Sequence, residues 1–439
     1  MIKRRSFPKI FFGWWTVVAT GIVGFICSGY TFYGFSALLK PLSAELGFSR
    51  AVTSVAASIT RAEGGFEAPL VGWITDKFGP RWIVIFGVFF LGMGLILMNF
   101  VGSLWAFYIV WGVVIGTSHN FAASIALDKA ITNWFVKKRG LALSTRWIFN
   151  GLAGVLMLPT IAWLISAQGW RMTCIIGGLA IWLVGLPLVW FFLKQHRPEY
   201  YGLLPDGAGG DEKTNDVSQM IEKGVKYAAE AQEVEFTLRQ AMRVRAFWLL
   251  IVANAAHGIP QSTVLIHCVP LLTDIGVDPV RAAVTIGMLS AISLPTRLLG
   301  GVIADRVNKN YMRFLMGGAY LLQAVGFALF MLNQTIAMAY VFFILYYFGF
   351  GVLMPLNPVM RGRYFGRKAF GSIQGFSQAI LTPFGVIAPV YAGWVYDTTG
   401  SYTAAFSLFT ALLAFAVVTI FFAFPPKPPA QVTDIRKIL

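Results

Sequence analysis

Long apolar stretches recur from one end of the chain to the other, separated by short polar turns. A bilayer's hydrocarbon core takes about 20 helical residues to cross. The pattern therefore predicts twelve spans, near 12–39, 51–74, 82–101, 104–127, 141–166, 172–193, 246–272, 282–304, 312–332, 336–360, 371–396 and 404–424. Lipid offers no hydrogen-bonding partner to a backbone, so each span is expected to be a helix. The first is too long for a signal-peptide core and lacks a small-residue cleavage site, so it is expected to be retained.

The one long polar stretch divides the chain into an N-terminal six-helix bundle (1–195), a linker (196–245), and a C-terminal six-helix bundle with a short tail (246–439). Within the linker, Thr237-Leu-Arg-Gln240 has the form of a capping box. Basic residues beside apolar ones follow it, predicting a short helix at the membrane surface.

Both halves carry the same turn at the end of their second span: Gly72-Trp-Ile-Thr-Asp76-Lys77, continuing to Arg81, and Gly301-Val-Ile-Ala-Asp305-Arg306. A repeat at half the chain length predicts two pseudo-symmetric bundles with a path between them. Gly72, Asp76, Arg81, Asp128, Asp305 and Arg306 are the expected gate. Its aspartates would pair across the halves with basic residues or helix N-termini.

Composition agrees with a membrane protein: 57% of residues are hydrophobic and 12% charged, beyond what a soluble domain tolerates. The formal charge of +16 does not signal nucleic-acid binding. The basic residues gather in the termini, the linker and alternate turns, with only Lys40, Arg50, Arg171 and Arg281 on the other side. That bias predicts both termini in the cytoplasm. Cys27, Cys174 and Cys268 lie in apolar runs without metal-ligand spacing, so no disulfide or metal site is expected. No nucleophile, base and orienting group share a motif and no phosphate loop appears; neither catalytic residues nor a cofactor is expected.

Ionisable residues inside spans must face protein or water. Ser290, Ser293 and Arg297 fall at i, i+3 and i+7 of the eighth span, a polar stripe ending in a guanidinium. Such a planar fork matches a carboxylate. Asn254, His257 and Gln261 form a like stripe on the seventh, and His257 could also carry a proton. In the second span, Glu63 and Glu67 share a face while Arg61 points roughly away from Glu63, so the carboxyls are expected either as proton sites or as members of an ion-pair network with other helices. Arg146 lies one turn from Asn150 in the fifth span. Tyr30, Tyr33, His119, Tyr346 and Gln378 complete the polar candidates for a substrate site.

Taken together, these features resemble the major facilitator superfamily over essentially the whole chain. Narrower marks are Gly13-Trp14-Trp15, Asn133-Trp134-Phe135-Val-Lys-Lys-Arg139-Gly140, Gly169-Trp170-Arg171 and Arg197-Pro198-Glu199. They are similar to the branch of monocarboxylate porters and oxalate/formate antiporters. The resemblance implies a secondary transporter working by alternating access in a cell membrane, a prokaryotic inner membrane above all, with a single chain as the functional unit. It further implies that Arg297 binds a carboxylate, with protons as coupled partner. The lysine that branch members often add in the first or eleventh span is absent from the interior of both spans here. A monoanion of the lactate or pyruvate kind therefore fits better than a dianion. An oxalate/formate-type exchanger, a drug or solute exporter, and a non-transporting sensor are the alternatives.

Overall fold

The computed structural model describes residues 10–47, 50–208, 217–231 and 233–428. The basic residues before Ile10 and after Pro428 lie outside it, as do the side chains of Lys40, Arg50 and Arg61. Described elements are all helical, without a strand.

Ten stretches are long and apolar enough to cross a membrane. One of these, Arg139–Phe192, is 54 residues long and turns at Gly169, whose φ of +79° only glycine adopts readily. It is thus the fifth and sixth spans. Arg50–Phe78, a 29-residue helix, is the second span, its ionisable residues lowering its hydropathy. Twelve spans in two bundles result. The tenth helix runs to Phe365, so Arg361 and Arg363 sit on a helix and not in a turn. The eighth is interrupted between Ser290 and Ser293, dividing Pro279–Ser290 from Ser293–Arg306.

Each bundle has its own apolar core, around Val23, Val88 and Ile115 in the first half and around Phe327, Phe342 and Phe406 in the second. A third core joins the two. Val17, Trp134 and Leu143 pack in one cluster with Phe247, Met360 and Phe365, at the face where the first span begins, the last span ends, and the linker and the repeated turns lie. We call this the terminal face, and there the halves are sealed.

Glycine makes the seal possible. A Cβ on Gly72 would lie 2.1 Å from the Gly371 carbonyl, and one on Gly301 1.7 Å from Ser144 Oγ. The second span thus meets the eleventh, and the fifth meets the eighth, backbone to backbone. Gly301→Val is expected to cost about 1–3 kcal/mol through overpacking. A lowered thermal midpoint of the purified protein checks it.

The linker is also structured. Asp206, buried and at φ +60°, accepts the amides of Val136, Lys137 and Lys138 at 2.8–3.3 Å and the Tyr227 hydroxyl at 3.1 Å. Glu233 bonds Arg139 of the first half at 2.5 Å and Arg367 of the second at 3.1 Å. Thr237 and Gln240 form the capping box that opens helix Leu238–Met242.

Burial pushes the Glu235 carboxyl up, and the guanidiniums of Arg197 and Arg367 more than reverse it, leaving it below its usual value. A depressed carboxylate stabilises the fold above its unfolded value, about 4.3, and ceases to do so as pH falls through the folded one. Hydrogen exchange in 217–231 is therefore expected to report unchanged linker docking between about pH 7 and 5, and weakening below about pH 4.

Candidate functional site

Arg297 follows the break in the eighth span, on the helix facing the fifth. Its Nη1 donates to the Trp147 carbonyl at 2.6 Å, and Ser293 Oγ lies 3.5 Å from Nη2, the limit of a hydrogen bond. Gly151 makes room: a Cβ there would sit 2.6 Å from Nη1. The Phe350 ring lies 5.9 Å from the guanidinium carbon. Tyr33, packed on Gly154, is near enough to feel the charge. Arg297 is 4% exposed, its Nε has no partner, and no ion pair among the described residues includes it. A buried cation without a counter-ion is costly.

Arg146 differs. It donates to Asp128 at 2.8 Å and to the Ala123 carbonyl at 2.6 Å, the latter exposed by the break at Ser124. Gln374 of the eleventh span donates to the other Asp128 oxygen at 3.2 Å. The structure thus gives Arg146 a structural ion pair bridged to the opposite half.

Elsewhere in the first half, the first and second spans pack on the fourth. Glu67 accepts from Thr117 at 2.5 Å and from Asn120 at 3.0 Å. Glu63, one turn earlier, lies beside Gly116, and its buried Oε2 has no partner. His119 and Thr31 share a hydrogen bond of 2.9 Å, and Asn150 donates to Ser28 at 2.9 Å.

Two residues of the seventh-span stripe, Asn254 and His257, turn into their own bundle. His257 packs on Tyr320 of the ninth span with ring centroids 5.0 Å apart. The Asn254 amide donates to its own helix at Leu250. Gln261 meets the Tyr346 hydroxyl only through its backbone carbonyl, at 3.5 Å. Tyr30 is buried against Gly177, and Tyr346 among Phe327 and Phe342. Gln378 is exposed, one turn from Gln374.

The gate aspartates reach across the halves to helix N-termini. Asp76 accepts the amides of Gly371 and Ser372 at 3.0 and 2.6 Å. Asp305 accepts those of Gly140 and Leu141 at 2.6 and 2.8 Å. Each thus meets the positive end of a helix dipole. Lys129 bonds Asp76 at 2.7 Å and also the Arg367 carbonyl. Arg81 takes no part, since its guanidinium lies over Trp190 at 4.5 Å, and Arg306 is exposed.

The sequence reading missed Lys129 and Arg361, and it expected helix N-termini as partners of the gate aspartates without saying which. Arg361 lies within electrostatic reach of Asp128 and Tyr320. One signal was available: Trp134-Phe-Val-Lys-Lys-Arg-Gly140 has a partial copy in Tyr364-Phe-Gly-Arg-Lys-Ala-Phe-Gly371. The two copies lead into the N-termini that hold Asp305 and Asp76.

Two six-helix bundles sealed at one face around a buried, uncompensated cation define a solute transporter of the multi-pass membrane class. The chain belongs to the Major Facilitator Superfamily, whose sequence profile matches residues 21–382. It is 25% identical to a probable sulfoacetate transporter of Cupriavidus necator, over 84% of this chain and 85% of that one. It is 24% identical to monocarboxylate transporter 13 of Rattus norvegicus, over 94% and 89%. Among solved structures it resembles the proton:xylose symporter XylE, with a TM-score of 0.72 at 13% identity, over 94% and 95% of the two chains. That last likeness is one of fold.

Proposed function

We propose that this protein carries a small organic monoanion, a monocarboxylate of lactate or pyruvate size, across a cell membrane with a proton. Both termini and the sealed face are on the cytoplasmic side, and one chain is the working unit. The observation that carries the reading is Arg297, a guanidinium buried between the halves with no anionic partner. The Asp128 carboxylate neutralises Arg146, which leaves Arg297 without a second free guanidinium beside it on the fifth span and favours one negative charge over two. Glu63 and Glu67, on the second span, supply carboxyls for the proton. Relatives named for monocarboxylate transport support the substrate class. The relative named for sulfoacetate adds organic sulfonates, whose oxygens a guanidinium also binds.

Purified protein in liposomes is expected to take up radiolabelled lactate or pyruvate faster when an inward proton gradient is imposed. Uptake insensitive to the gradient and dependent on internal anion would replace symport by exchange. No uptake of any small carboxylate or sulfonate would overturn the substrate class.

A further inference from the structure

The third and sixth spans pack together, backbone against backbone at one end and through Arg81, Trp82 and Trp190 at the other. A Cβ on Gly178 would lie 2.5 Å from the Gly92 carbonyl, so their backbones meet there. Toward the terminal face the sixth span passes through a π-helical turn at Ile181–Gly185 and then carries Pro187, both features that deflect a helix. A groove of about 490 Å³ opens between the two, walled by Ile85 and Phe89 on one side and Trp182, Leu186, Pro187 and Trp190 on the other. Its volume lies in the range that holds one ligand of modest size, roughly 300–1,000 Å³. The one indole N–H at its far end is satisfied, since Trp182 donates to the Phe89 carbonyl at 2.8 Å and stacks on that ring at 5.4 Å. The walls are otherwise apolar.

Arg81 stands at the mouth. Trp190 is both a wall of the groove and the platform on which this guanidinium lies. No carboxylate pairs with Arg81 among the described residues, and its Nε is buried without a partner. Lys77, over Trp73 at 4.8 Å, and Lys194, one turn beyond Trp190, are also at this end of the spans. Tryptophans and cations at helix ends mark headgroup depth.

We propose that this groove binds an anionic phospholipid, one acyl chain lying between the third and sixth spans and the phosphate seated on Arg81. A polar solute finds nothing to bond along the walls. A docked transmembrane helix would leave the guanidinium without an anion, whereas a phosphate accepts its fork of donors. Arg81 thus serves the lipid surface and not the gate between the bundles, on the opposite wall of the same half.

Native mass spectrometry of the purified chain, titrated with phosphatidylglycerol or phosphatidylcholine of identical acyl chains, tests this. Wild type is expected to retain phosphatidylglycerol about fivefold better, the factor one basic side chain contributes near anionic lipid. Arg81→Gln should bring the ratio to about one with an unchanged thermal midpoint in lipid-free detergent, and Arg81→Lys should restore part of it. Leu186→Trp, which fills the groove, should weaken retention of both lipids. Equal retention by wild type, or a preference that survives Arg81→Gln, overturns the proposal. So does full competition by glycerol phosphate, which has the headgroup charge but no chain to seat.

Discussion

Arg297→Gln is expected to abolish uptake of the carried anion while the protein still folds and inserts. The guanidinium bonds one carbonyl, that of Trp147, and is otherwise unspent, so its loss leaves no buried carboxylate stranded. Hydrogen bonds to charged groups are worth about 1.5–3 kcal/mol each. Removing a two-pronged contact therefore weakens anion binding by at least about a hundredfold. Arg297→Lys restores charge but not the fork and should recover only a small part. Proteoliposome uptake and substrate-induced thermal stabilisation measure the two losses separately. Unchanged uptake with Gln at this position would remove Arg297 from the site.

Replacing both gate aspartates, Asp76→Asn with Asp305→Asn, is expected to favour the state open at the terminal face. Four charge-assisted amide contacts become at most two neutral ones, and the helix dipoles lose their anions. A change of about 3 kcal/mol shifts that equilibrium more than a hundredfold. Ser144→Cys is a suitable reporter, because Ser144 is buried in the seam beside Gly301. Its alkylation should accelerate markedly in the double variant. An unchanged rate would mean that the apolar core shared by the halves, and not the aspartates, holds the face shut. Asp305→Asn alone, keeping one acceptor and all of the Asp76 contacts, should give an intermediate rate.

The gate shows what a sequence reading can and cannot see. Gly72 with Asp76 and Gly301 with Asp305 stand out because the same string appears twice. Their partners are the amides of Gly140, Leu141, Gly371 and Ser372, and a backbone amide has no residue identity to search for. Arg146 and Arg297 look alike in sequence, each a guanidinium within a span. Asp128 is 18 positions from Arg146 and 2.8 Å away in space, and only that distance separates a paired arginine from a free one. For Asn254, His257 and Gln261, helical spacing puts three side chains on one face without saying where the face points. Tyr320 answers that for Asn254 and His257. An error of a few residues in one boundary hid Arg361 in a turn.

The sequence by itself determined the membrane-spanning helical class, the twelve spans, the division into halves and the identity of the ionisable residues within them. These follow from composition and local period, since a backbone in lipid has one way to satisfy itself span by span. Tertiary structure alone decided which faces meet, which charges cancel and which cation is left over. Such outcomes depend on helix rotation and on close approach at Gly72, Gly151 and Gly301, where atoms far apart in the chain come within a few ångströms and low dielectric makes each pairing count.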